Sequence, residues 1–279
     1  MLGQPLDWIV LHNRADEITL DEAREQVEQD LPSLSDLYVL GLIHLNRGEP
    51  SEARDKFQRI LAVDPDNRQA RWGMAEVARR GHDYVGSRQT LEEIISHDPG
   101  FAPDLISLAY LEYINQDFKK AAEVSARVIN LGRDKVDQSN YLRAHGLYAA
   151  AKGMIAHYGG LFSKAVNGAA VLRHLNIIRR IAPGSPIVNF GLGSYYLLIP
   201  PLFGRDLDKA RHFLERTIAA DPRFSDPYVR LAQVYRLKGN QTKYRELVEK
   251  ALGLDPKNEL ALDVKNRTCR FICFDDGTE

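Results

Sequence analysis

Asp-Pro dipeptides recur at the ends of helical patterns, at Asp64-Pro65, Asp98-Pro99, Asp221-Pro222 and Asp255-Pro256. Their prolines are spaced 99 − 65 = 34 and 256 − 222 = 34 residues apart. Proline lacks a backbone N–H and its ring clashes with the preceding turn, so each of these residues stops a helix. A fixed period of this length constrains the chain to an array of like helical units. No single unit can bury its own apolar face, and neighbours must stack to do so.

Positions inside the period agree with a helix-turn-helix unit. Residues 34–67 carry Leu40-Gly41 in the first helix, Gly48 in the turn, and Ala53, Phe57 and Ile60 in the second helix before Pro65. Gly41 and Ala53 are small enough for two helices to approach closely, and Phe57 fills the space beside them. Residues 225–258 repeat the scheme with Leu231-Ala232, Tyr235, Gly239, Ala251 and Pro256, although Tyr244 stands where a small residue is expected.

The period divides the chain as follows. Residues 1–33 read as a degenerate first unit in which Thr19 caps a helix and Glu22 completes a capping box. Residues 34–135 read as three regular units, and 136–185 as an overlong, irregular hairpin turning at Gly159-Gly160. Residues 186–258 read as two more units, and 259–279 as a capping helix, over "ELALDVKNRTCRFI", and tail. In the first of the latter two units the interval from Pro183 to Pro222 is 39, five longer than the period. The extra stretch, Ile199-Pro200-Pro201-Leu202-Phe203, falls in the turn between two helices, where proline breaks nothing. Leu202 and Phe203 are unusual residues to leave in water, which predicts that they fold back onto a neighbouring element, the hairpin of residues 136–185 before any other.

On these positions the whole chain resembles the tetratricopeptide repeat superfamily. The resemblance implies an all-α fold, an α-solenoid of tandem tetratricopeptide helix-turn-helix repeats forming a right-handed superhelix. The C-terminal third also resembles the T component of TRAP-type transporters, through Gly193, Tyr195, Tyr196, Pro200, Pro201, Gly204, Asp206, Lys209 and Ala210. Arg205 departs from that pattern, as does the want of an export signal.

Catalytic motifs are not found. No HExxH, nucleophile elbow, phosphate-binding loop or dinucleotide fingerprint occurs, and the glycines of "GLGS" at 191–194 fall in a helical pattern, where they serve close packing. His145, His157 and His174 share the irregular hairpin and some of them could meet on a helical face. Cys269 and Cys273 would share a face if helical, but two thiols leave a metal site incomplete. The Asn-X-Thr triplets at Asn240 and Asn266 read as coincidence. The expectation is a chain that is not an enzyme, with no catalytic residue, no metal and no cofactor.

Charge excludes broad electrostatic partners. Thirty-seven basic side chains face 38 acidic ones, a net charge of −1, so no overall field favours nucleic acid or an anionic membrane. The most apolar stretch, "PIVNFGLGSYYLLIPPLFG", is interrupted by Asn189, glycines and prolines and is a poor membrane span. The N-terminal residues lack the basic and apolar regions of a signal peptide, which predicts a cytoplasmic location.

What remains is the surface that first helices build. Side chains expected to line it are Tyr38, Leu42, Trp72, Arg79, Ile106, Tyr110, Tyr113, Phe190 and Arg236, with Asn46, Glu76, Ser194 and Gln233 beside them. Aromatic residues and arginine are the types enriched at binding hot spots, and Arg79, Arg80 and Arg236 would be the polar anchors. Repeat domains of this kind that hold chaperone C-termini use Lys, Arg and Asn, whereas the matching slots here carry Tyr38, Leu42, Ile106, Ser107 and Tyr110. The expected function is therefore a protein-protein interaction module or scaffold. It would bind a protein or peptide with an apolar or aromatic segment, with Leu202 and Phe203 shaping one end of the groove. The alternative is a carrier of a small apolar molecule or lipid, as the transporter resemblance implies.

Overall fold

The computed structural model describes residues 7–28, 32–97, 99–272 and 274. Asp98, Cys273, both ends of the expected first repeat's N-terminal and linker stretches (1–6 and 29–31) and residues 275–279 of the tail lie outside the described residues. Among the described residues the regular structure is helical, without strands. The chain divides into two compact units, one of Met1–Leu111 with Val124–Ala144 and one of Glu112–Glu123 with His145–Glu279.

Helical hairpins follow one another along the chain. They are built from α1 (Trp8–Glu17), α2 (Leu20–Val27), α3 (Leu34–Asn46), α4 (Pro50–Val63), α5 (Arg68–Arg80), α6 (Tyr84–His97), α7 (Ala102–Ile114) and α8 (Phe118–Leu131). There follow α9 (Gln138–Tyr158), α10 (Leu161–Ile181), α11 (Pro186–Leu198), α12 (Leu207–Ala220), α13 (Asp226–Leu237), α14 (Gln241–Leu254) and α15 (Glu259–Asn266). The expected capping box forms at α2: Thr19 accepts from the Glu22 amide while Glu22 accepts from the Thr19 amide.

One turn geometry closes the regular hairpins. At Gly48 (φ 69°) the glycine amide donates to Leu45 and the next amide to His44, and Gly239 (φ 78°) repeats this with Arg236 and Tyr235. The left-handed conformation reverses the chain, and glycine adopts it without penalty. His82 (φ 64°) and Gln116 (φ 67°) take the same place in the α5–α6 and α7–α8 turns, with the same bonding pattern. A search for turn glycines passes over both.

In the first unit Phe57 is the pivot between hairpins. It is fully buried, and a Cβ built on either Gly41 of α3 or Gly73 of α5 would come within 2.6 Å of its ring. The ring thus fills the space that two glycines leave open. In the second unit Leu214 of α12 lies equally close to Gly193 of α11, at 2.7 Å from a Cβ placed there. The glycines of "GLGS" are packing residues.

Residues 136–185 contain two helices of 21 residues each, α9 and α10, against 12 to 14 in the regular units. The Pro-Pro stretch occupies the α11–α12 turn as a single 3-10 turn at Pro201–Phe203, released by Gly204 in the left-handed conformation (φ 97°). Leu202 is 88% exposed and Phe203 52%. The expected fold-back onto residues 136–185 is therefore corrected: proline fixes φ and stiffens the turn, and the tip projects outward.

A second correction concerns the cap. The helix expected to run through "ELALDVKNRTCRFI" stops at Asn266, and Arg267 turns the chain with φ 55°. Asp263 causes the stop, because its carboxylate accepts from the Thr268 hydroxyl and from the amides of Arg270 and Phe271, offering the backbone an alternative to helical bonds. Cys269 follows in a left-handed conformation (φ 54°), so the helical face on which it was expected to meet Cys273 does not exist at this end.

Candidate partner-binding site

Much of the surface expected from the first helices of the first unit is interior. Tyr38 is 0% exposed and Trp72 3%, and Leu42 and Ile106 are also buried. The expectation that these four line an open groove does not hold. The reason lies in the degenerate first repeat: His12 of α1 packs its ring against Tyr38 and Trp72, at centroid distances of 5.9 and 5.4 Å. Asn140 donates to His12 Nδ1 at 3.1 Å, which leaves Nε2 to donate to the Tyr38 hydroxyl at 3.0 Å. Burial, with the charge of Arg143 second, pushes the His12 imidazole down to about 3, so it stays neutral.

A polar relay holds the neighbouring arginines. Trp72 Nε1 donates to Ser107 Oγ at 3.1 Å, and Ser107 donates to Glu76 at 2.6 Å. Arg79 grips Glu76 with two bonds of 2.8 and 3.0 Å and lies over the Tyr110 ring at 4.3 Å, while Arg80 reaches the Leu45 carbonyl. Burial alone would raise the Glu76 carboxyl, but Arg79, Arg80 and Ser107 hold it well below the usual carboxylate range. Arg79, Arg80 and Tyr110 are thus members of a structural network. The cavity beside them, lined by His12, Glu76, Arg80, Asn140 and Arg143 among others, measures about 20 Å³. That is room for about one water molecule, far less than the cargo of a lipid carrier. Asp104 is buried close by, neither carboxylate oxygen has a hydrogen-bond partner, and burial pushes its carboxyl up to about 8.

The second unit presents a different arrangement. Its α13 face, near the end of α7 and the α7–α8 turn, holds residues 267–272 and Phe274 of the same chain. Side chains take the carbonyls of this segment in succession: Gln116 and Tyr158 each donate to Arg270 O at 3.1 Å, Arg230 donates to Phe271 O at 3.2 Å, and Gln233 to Ile272 O at 2.8 Å. The Phe271 ring stacks on Tyr113 with centroids 5.6 Å apart, and Arg205 lies over the Phe274 ring at 5.0 Å. Phe271, Ile272 and Phe274 are all buried. Carbonyl bonds of this kind fix a main chain whatever its sequence, and the aromatic contacts supply the selectivity.

Of the expected residues, Tyr113 touches this segment, and Gln233 bonds it. Arg236 is buried over the Tyr244 ring, and Phe190 packs edge-to-face on Phe224. Gln116, Tyr158 and Arg230 were missed. Gln116 is exposed to discovery only through its place in a turn with positive φ, and Tyr158 through the length of α9, neither of which the period reveals. His145 and His174 do meet, with Nδ1 atoms 2.9 Å apart. Among the described residues no group of three or more His, Cys, Asp or Glu side chains is placed to hold a metal ion. Nor is any helix long and apolar enough to cross a membrane.

Comparison with known proteins agrees with the repeat architecture. Models of the tetratricopeptide repeat match residues 38–102 and 225–258. The N-terminal acetyltransferase A complex auxiliary subunit NAA15 of Arabidopsis thaliana is 24% identical over 140 residues, 50% of this chain and 16% of that protein. The CTR9 homolog of Arabidopsis thaliana is 24% identical over 228 residues, 80% of this chain and 19% of that protein. The chain thus spans less than a fifth of the length of these relatives. A solved tetratricopeptide repeat protein from Parabacteroides merdae superposes with a TM-score of 0.55 at 14% identity, covering 94% of this chain and 97% of its own. A chain of the Cut9–Hcn1 hetero-tetramer of the APC/C gives 0.54 at 12% identity, covering 92% of this chain and 55% of its own. The transporter T-component resemblance finds no counterpart in these similarities. Both units of this chain carry tetratricopeptide repeats, and the chain has the all-α fold of tandem helical hairpins that such proteins share.

Proposed function

We propose that this chain is a non-catalytic interaction scaffold that binds a segment of a partner protein on the α13 face of its second unit. The observation that carries the reading is the row of donors, Gln116, Tyr158, Arg230 and Gln233, directed at successive main-chain carbonyls. Such donors hold a polypeptide as a polypeptide. The names of two similar proteins, an auxiliary subunit of an acetyltransferase complex and a chain of an APC/C hetero-tetramer, agree with a role inside an assembly. Tyr113 and Arg236, expected from the sequence, belong to this unit, while the surface of the first unit serves mainly its own core.

The test is capture of partners by the intact chain, followed by hydrogen exchange on the complex. The reading expects new protection at α13 and at the α7–α8 turn. Protection confined to α3–α6, or capture that is undiminished in the Arg230→Ala chain, would remove it. A carrier would instead retain a small apolar molecule in native mass spectrometry.

A further inference from the structure

Resting on the scaffold reading, we infer that residues 267–272 with Phe274 are an internal occupant of the partner site and must leave it when the partner binds. The partner is a protein presenting a short non-helical segment with aromatic, branched aliphatic and aromatic side chains in the pattern of Phe271, Ile272 and Phe274.

The segment is seated like a ligand. Four side chains from separate parts of the unit take three successive carbonyls, and two aromatic side chains dock on Tyr113 and under Arg205. It lies after α15, so its departure gives up only bonds at that helix's end, to the Asp263 carbonyl and carboxylate, and one from Arg270 to the Ile114 carbonyl at the end of α7. Its own backbone is under strain: Arg267, Cys269 and Ile272 all have positive φ, at 55°, 54° and 69°. For a β-branched residue such as Ile272 that conformation is an outlier. A segment that makes the same carbonyl and aromatic contacts from a relaxed backbone therefore has an advantage over this one.

The chemistry of the vacated face limits what can replace the segment. Phe271 and Ile272 belong to one apolar cluster with Phe118, Tyr228, Val229 and Ala232, and Phe274 to another with Leu197, Leu214, Leu231 and Val234. Departure without replacement would open both clusters to water and leave Arg230 and Gln233 without their carbonyls. A polar or helical partner would restore neither. An apolar, looped segment restores both, and the occupant already present defines its pattern.

The probe is a labelled synthetic peptide of residues 267–279, RTCRFICFDDGTE. Its binding is read by fluorescence anisotropy against the intact chain and against the doubly substituted Phe271→Ala/Phe274→Ala chain, with circular dichroism as the folding control. Loss of two aromatic anchors from the internal segment should let the peptide bind the variant at least about tenfold more tightly than the intact chain. The same peptide with both phenylalanines replaced by alanine should bind neither. If the variant does not fold, hydrogen exchange on the intact chain decides: excess peptide should accelerate exchange at the amides of Arg270 and Phe271. Equal peptide binding by both folded chains would overturn self-occupancy and leave the scaffold reading standing. Absence of peptide binding to the folded variant would remove both. A dimer made by exchange of the segment between copies would overturn the intramolecular site.

Discussion

Gln233 Nε2 donates to the carbonyl of Ile272 at 2.8 Å, and both residues are buried. Gln233 is on α13 and Ile272 lies beyond α15, so this bond, beside that of Arg230 to the Phe271 carbonyl, joins a helix of a repeat to an irregular segment. Replacing Gln233 by Leu removes the donor and leaves the carbonyl buried without a partner. The penalty for such a group is about 1–3 kcal/mol. We expect native-state hydrogen exchange at the amides of Arg270 and Phe271 to quicken about tenfold or more, with α3 to α6 unchanged. Unchanged exchange at those amides would show that the carbonyl bonds do not hold the segment.

Close helix approach in the second unit is tested by two glycines that look alike in sequence. A Cβ on Gly193 would come within 2.7 Å of Leu214 Cγ and 3.3 Å of the Ala210 carbonyl, whereas one on Gly168 of α10 meets nothing within 4 Å. Gly193→Ala should therefore destabilise by about 1–3 kcal/mol through overpacking. Gly168→Ala should stabilise by about 0.5–1 kcal/mol through helix propensity alone. Thermal melts that move in the same direction for both would refute the packing contrast.

The difference between these glycines shows how far the sequence could be read. Gly41, Gly48, Gly193 and Gly239 recur at fixed places in the period, and the period is what makes each one interpretable. His82 and Gln116 perform the turn role of Gly48 without its chemistry, so the pattern is silent on them. The lining of the groove was less legible still. A helical wheel places Tyr38 and Trp72 on an inward stripe, but whether that stripe meets water depends on α1, whose sequence departs from the repeat. His12 of that helix covers both rings. The C-terminal segment lies outside the period altogether. Its docking rests on Asp263, which ends α15 by taking two amides, and no spacing rule announces such a residue.

Asp104 makes the first unit lose stability as pH rises from acid toward 8. Its carboxyl titrates near 3.8 when unperturbed and near 8 in the fold, where burial opposes the charge, with Arg68 and Arg71 relieving it in part. Between those values the unfolded chain gives up a proton that the folded chain keeps. Stability contributed by the protonated group is complete below the unfolded value and is lost as pH rises toward 8. Asp104→Asn keeps the shape of the protonated acid and cannot ionise. It should be near neutral at pH 4 and stabilise the chain at pH 8, by an amount on the order of a few kcal/mol. Denaturant midpoints at the two pH values provide the measurement, and an equal shift at both would mean that the native Asp104 is ionised.

The Pro-Pro turn separates two roles that the sequence suggested were one. Leu202 and Phe203 are exposed at its tip, so Leu202→Ser/Phe203→Ser should leave stability within about 0.5 kcal/mol, as for surface changes generally. Arg205, immediately after the turn, donates from Nε to the Ile199 carbonyl at 3.1 Å and carries its guanidinium 5.0 Å from the centre of the Phe274 ring. The turn therefore contributes to the segment's seat through its cation, and the five inserted residues set where that cation stands. Arg205→Ala should weaken the seating of Phe274 by about 1 kcal/mol, the range for a partly desolvated cation over a ring. Hydrogen exchange at Phe271 and Ile272 should quicken in Arg205→Ala and stay unchanged in the Leu202/Phe203 variant. Replacing Ile199–Phe203 by a Gly-Asn turn shifts Arg205 and should reproduce the Arg205→Ala result without loss of helix content. Full protection of the segment in that replacement would show the turn to be a passive surface loop.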